Sequence, residues 1–286
     1  MKFRMLEIRR RIKRRAQALL LRCLIPAVKL CLLLTAIFCI VYYIRLYASP
    51  VLEIRGPGIA AILDAYIHMG WEKLLLILAI NVLVIIVVGP LMCCACAFFI
   101  RITDEKKYGD SVYSDFREDN ELKVSYSMQW FSKSALRSRA ILLRFATTLL
   151  SVFWHIVFVG PPLILLYFLR GNPNSLNYAN KLFLYTTWML IGFLAAYIKL
   201  GSYYPAYFLI AQYPDMPIRE AIRDSSIMMK GHTMEFFRYK LSFLPWYVLC
   251  VVTFGLGLVY VVPYRYTCDA MFVRYIDSVS SGGDAT

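Results

Sequence analysis

Cys93 and Cys96, one helical turn apart in "MCCACA", have the spacing that can hold a metal ion or cycle through a disulfide. A metal site would need further ligands, and no second Cys or His pair stands at ligand spacing elsewhere in the chain. Cys23, Cys31, Cys39, Cys94 and Cys250 also fall within or beside apolar runs, and only Cys268 lies clearly beyond them. Cysteines so placed read as small packing residues, not as a disulfide framework. The three histidines, His68, His155 and His232, are spread over separate segments, and HExxH, GxSxG and phosphate-binding glycine loops are absent. No catalytic residues, metal or cofactor are therefore expected, and an intramembrane enzyme is the least favoured reading.

Charge within apolar sequence is the stronger signal. Lys29, Arg144 and Lys199 each interrupt an apolar run, and each falls towards the run's basic end. Long side chains so placed can snorkel to a membrane interface. The sharper alternative is a shared basic pocket for a lipid headgroup phosphate or another anion. Asn81 and His155 lie inside runs, where an interhelical hydrogen bond is the expected use. The central portions of the runs contain no Asp or Glu, which argues against a proton- or cation-coupled pump.

The elements that must position these residues are transmembrane helices. The 286 residues are 60% hydrophobic, and the apolar residues gather into runs of the length that crosses a bilayer. Four runs are clear, at 24–48, 74–100, 140–169 and 182–211, and a fifth covers 240–262. An all-α polytopic bundle of about five spans plus interfacial amphipathic helices follows, since helices satisfy their own backbone in hydrocarbon. Residues 1–22, 101–139 and 212–240 hold 22 Lys and Arg against six in 49–73, 170–181 and 264–286. That asymmetry predicts a cytoplasmic N-terminus and an outer C-terminus. The net charge of +14 is explained by topology and anionic lipid, so nucleic acid is not an expected partner.

The organisation that results has a basic segment at 1–23 and a pair of spans with an outer interfacial helix at 24–100. A cytoplasmic loop at 101–139, a candidate dock for a protein partner, precedes three further spans within 140–278; the tail 279–286 reads as disordered. Gly201 and Pro205 predict a bend in the fourth span. In 217–231, Ile218, Ile222, Ser225 and Met229 form a stripe that suits an interfacial helix, packed on lipid or on protein. Lys230, Gly231 and His232 end it in an elbow, with Gly231 free to adopt positive φ. Trp246, Pro263 and Tyr264 belong to the same structural unit. Beyond Pro263, Tyr264, Cys268, Met271, Phe272 and Tyr275 line one face, with Arg265 and Asp269 opposite.

Residues 187–272 resemble a bacterial integral-membrane family known as domain of unknown function 975. The features that carry the resemblance are Trp188, Lys199, "YPD" at 213–215, "EAI" at 220–222 and the stretch from Ser226 to His232. "LSF" at 241–243, Trp246, "TFGLG" at 253–257 and "PY" at 263–264 continue it. Ala195 and Ala196 stand where the family typically has Pro-Gly, so a helix break there gives way to one at Pro205. The resemblance implies a bacterial membrane protein and no reaction. The expected role is a membrane-embedded scaffold or partner-binding protein. The alternative is a carrier that binds lipid or an anion through its inner-leaflet bases.

Overall fold

The computed structural model describes residues 2–48, 70–103, 127–170 and 177–280. Most of the outer helix expected within 58–73 and most of the 101–139 loop lie outside the described residues. Helices α1 (Lys2–Arg22) and α2 (Leu24–Ala48) are followed by α3 (Trp71–Ile102), the single turn α4 (Gln129–Ser132) and α5 (Ser134–Arg170). Next come α6 (Tyr178–Leu200), a 3-10 turn at Gly201–Tyr203, α7 (Ala206–Gln212) and α8 (Ile218–Met228). The chain continues through α9 (Thr233–Leu241), α10 (Leu244–Val252) and α11 (Leu258–Ser280). No strand occurs among the described residues, so the molecule is an all-α bundle.

Four helical segments are long and apolar enough to cross a membrane: α2, α3, α5, and α6 continued through α7. Their outward faces carry exposed Leu, Ile and Phe side chains, such as Leu78, Ile156 and Leu190. In water this would be an aggregation surface, whereas in a bilayer it is the solvated one. Two glycines let these helices approach closely, as small residues do in membranes. A Cβ at Gly89 would come within 2.7 Å of the Ala140 carbonyl oxygen on α5, and one at Gly192 would land on the Phe158 carbonyl oxygen.

The fourth span bends where Gly201 and Pro205 predicted. Helix α6 runs unbroken through Ala195 and Ala196. The 3-10 turn and Pro205 then interrupt it, because proline has no N–H for the carbonyl four residues back. Within the break, the Ser202 carbonyl accepts a 2.7 Å hydrogen bond from the Ser225 hydroxyl of α8, and both residues are buried. Helix α8 thus packs its stripe on protein at the break, and its neighbours include α7.

The run 240–262 is not one helix. Helix α10 spans about 13 Å at 1.5 Å per residue, too short to cross. The chain reverses at "TFGLG", where Phe254 and Gly255 have φ of 50° and 88°. Gly255 N–H donates to the Cys250 carbonyl at 2.7 Å, and Thr253 Oγ1 accepts from Gly257 N–H at 3.0 Å. Both ends of the turn are therefore satisfied, and α11 folds back along α10. Its far end meets the C-terminal end of α3, where Arg274 donates to the Ile100 carbonyl at 2.8 Å and to Thr103 Oγ1 at 3.1 Å. The base count assigns that end of α3 and residues 264–286 to opposite sides, and this contact brings the two together.

Helix α11 is central and not a surface element. Its neighbours are α1, α2, α3, α8 and α10, and eleven of the residues from Pro263 to Ile276 are buried. Helix α1 lays Ile12, Ala16 and Leu20 into this core and keeps Arg10, Arg11, Arg14 and Arg15 exposed.

Candidate functional site

The centre of the site is Asp269, an acid with no exposed surface. Helix α11 delivers it, and elements on either side of the elbow supply its partners. Lys240, the penultimate residue of α9, places its ammonium 2.6 Å from Oδ2. Tyr204, beside the Pro205 break, donates its hydroxyl to the same oxygen at 2.7 Å. Tyr239 donates to Oδ1 at 3.1 Å. The carboxylate thus has three short donors, as a buried charge requires.

Arg265 lies one turn before Asp269, with Nε 3.9 Å from Oδ2. That is an electrostatic contact and not a hydrogen bond. Its Nη1 donates to the Tyr247 hydroxyl of α10 at 2.8 Å, while Nε is buried without a hydrogen-bond partner. Aromatic rings complete the surroundings. Lys240 Nζ is 4.5 Å from the Tyr204 ring centre and 4.9 Å from that of Phe236, and Phe272 stacks on Tyr239 at 4.9 Å.

The elbow places α9 for this contact. Gly231 has φ of +85° and nothing within 4 Å of where its Cβ would stand, so conformation and not space selects glycine there. His232 Nδ1 pairs with Glu235 Oε2 at 2.9 Å, and Lys230 is exposed. Trp246, Tyr260 and Tyr264 form an aromatic cluster, with Trp246 and Tyr264 edge to face at 5.8 Å. Pro263 is buried within α11. Lys13 of α1 donates to the Ser242 carbonyl at 3.2 Å and sits 4.6 Å from the Phe243 ring centre. Desolvation by burial lowers the Lys13 pKa, outweighing a raising contribution from Cys268.

The bases Lys29, Arg144 and Lys199 are not gathered into one pocket. Lys29 is exposed on α2. Lys199 lies 5.1 Å from the Trp154 ring centre, and the Trp154 indole N–H donates to the Tyr203 hydroxyl at 3.2 Å. Of the three, only Arg144 lines the cavity of about 700 Å³ between α3, α5 and the bend of the fourth span. There its Nε is buried with no hydrogen-bond partner. Thr147, whose hydroxyl meets that of Tyr207 at 2.8 Å, adds polarity to the same wall.

Asn81 also lines this cavity, but its amide donates to the Ile77 carbonyl of its own helix at 2.8 Å. His155 Nδ1 likewise faces the Ser151 carbonyl at 2.7 Å, and its ring touches Phe193 across the interface. The interhelical hydrogen bonds expected of both are replaced by bonds within their own helices, since a carbonyl four residues back is always within reach. Cys93, Cys94 and Cys96 are fully buried beside the core. No cluster of three metal-ligating side chains occurs among the described residues.

Asp269, Arg265, Tyr204, Tyr239 and Lys240 are not marked as one site by the sequence. The available signal was the Arg265–Asp269 pair at i, i+4 amid buried aromatic residues.

Fold and site together define a polytopic helical protein whose core holds a buried carboxylate with a lysine and two tyrosine hydroxyls bonded to it. Residues 111–280 match the family described as protein of unknown function (DUF975), and the chain belongs to that family. The match begins well before the stretch in which the resemblance was recognised. It takes in the bend, the elbow, the "TFGLG" reversal and every member of the Asp269 cluster. No curated protein and no solved structure matches the chain.

Proposed function

We propose that the chain is a multi-pass protein of the bacterial cytoplasmic membrane that binds a ligand and does not transform it. The ligand is an anion held by Arg144, with a lipid headgroup phosphate as the best fit. The observation that carries this reading is Arg144 itself, which lines a 700 Å³ cavity among hydroxyl side chains and has a buried Nε with no hydrogen-bond partner. A guanidinium in an apolar bundle is costly unless an anion or a network of dipoles compensates it. Arginine also presents a planar fork that suits phosphate oxygens. The basic segments at 1–22, 101–139 and 212–240 support a cytoplasmic N-terminus, and four crossings with a folded-back α11 support a C-terminus on the same side.

The scaffold reading has one supporting feature among the described residues. Glu7, Arg10, Arg11, Arg14 and Arg15 line a basic surface groove on α1, suited to an acidic partner segment.

Native mass spectrometry from nanodiscs containing phosphatidylglycerol tests the binding reading. Wild type should retain a lipid that Arg144→Ala loses, with affinity falling roughly tenfold, the size of one charge-assisted contact. Lys29→Ala and Lys199→Ala should retain it. Equal retention by wild type and Arg144→Ala would sink the assignment.

A further inference from the structure

The Asp269 cluster has one more positive charge than it can use. Lys240 and Arg265 bring two cations to a single carboxylate, whose oxygens already accept from Tyr204, Tyr239 and Lys240. Arg265 is therefore held at 3.9 Å, and its buried Nε has no acceptor. Both bases line a second cavity of about 370 Å³, bounded by Thr233 and Phe236 of α9, Tyr247 of α10 and the end of α6. A surplus cation beside a cavity is stabilised by an anion that enters it. The rings of Phe236 and Tyr247 suit an apolar group attached to that anion.

We infer that Lys240 and Arg265, oriented by Asp269, form a second anion-binding pocket that takes a phosphate group, from a lipid headgroup or from free phosphate. Lys240 and Arg265 supply the positive charge, and Asp269 fixes the two cations without lining the cavity. Leu200 and Tyr204 line both this pocket and the Arg144 cavity, so the two sites share one wall. The assignment does not depend on a ligand at Arg144.

The test uses Arg265→Gln, which keeps a donor for Tyr247 and removes the charge. The full chain is placed in phosphatidylcholine nanodiscs with or without phosphatidylglycerol. Retained lipid is counted by native mass spectrometry, and inorganic phosphate is titrated calorimetrically into the neutral discs. Wild type should retain one more phosphatidylglycerol than Arg265→Gln, or bind phosphate roughly tenfold more tightly than it does. The first result identifies a headgroup and the second a free anion. Introduced into Arg144→Ala, the Arg265→Gln substitution should still remove one further phosphatidylglycerol or weaken phosphate roughly tenfold, so either assignment can fail alone. Thr233→Leu fills the pocket while keeping every charge, and should abolish the same signal if Arg265→Gln does not fold. Unchanged lipid count and phosphate affinity in the folded variant, or no binding of either probe by wild type, would overturn the inference.

Discussion

A carboxylate with three donors within 3.1 Å and a second cation at 3.9 Å makes the two sides of the cluster unequal. Asp269→Asn leaves Lys240 and Arg265 facing each other without a counter-charge, and should cost about 3–5 kcal/mol of stability. Lys240→Met removes one of two cations. Arg265 can then close on Asp269, so the cost should be smaller, about 1–2 kcal/mol. Denaturant unfolding in mild detergent checks the ranking, and a more damaging Lys240→Met would show that the surplus charge was misjudged. This residue-scale arrangement was hidden in the sequence. Arg265 and Asp269 sit one turn apart, as a solvated pair would. Only the placement of α9 and α1 around α11 shows that no water reaches the acid. Arg144 was legible because its neighbours in sequence are apolar on both sides.

The helices themselves were legible, and their interruptions only partly so. Pro205 announces a break by its chemistry, since a missing N–H is a property of the residue. The reversal at "TFGLG" is different. Val251, Val252, Phe254 and Leu256 are as apolar as any spanning segment, so hydropathy runs through a turn that φ angles set. Exposure at the tip is correspondingly large, with Phe254 at 99%. Glycine substitutions separate conformation from packing at this scale. Gly231→Ala meets no atom and should cost about 1 kcal/mol through positive φ alone. Gly192→Ala keeps an ordinary helical conformation but strikes the Phe158 carbonyl, and overpacking of this kind costs about 1–3 kcal/mol. Gly160→Ala, with its nearest neighbour at 3.9 Å, should be neutral or slightly stabilising. Thermal melts of the three variants in one detergent decide the order.

For the whole molecule, dividing the fifth run changes the topology expected from an odd number of spans to that of an even number. Cysteines introduced at Ala18 and Ser280, both exposed, should react with a membrane-impermeant maleimide from the same face of sealed vesicles. One at Asn180, at the start of α6, should react from the other. Opposite labelling of Ala18→Cys and Ser280→Cys would restore a fifth crossing. Base counting has little to work with here, because 264–286 carries only two bases, and one of them, Arg274, bonds to the end of α3. The central position of α11 also bears on how the protein is made. It is not among the helices apolar enough to enter a bilayer unaided, and each unpaired charge at the bilayer centre costs about 2.5–3.5 kcal/mol on an insertion scale. Its docking surface is built by segments that leave the ribosome earlier, including Tyr204 and Lys240. Charges and hydroxyls from those segments, and not its own hydropathy, therefore hold α11 in the bundle.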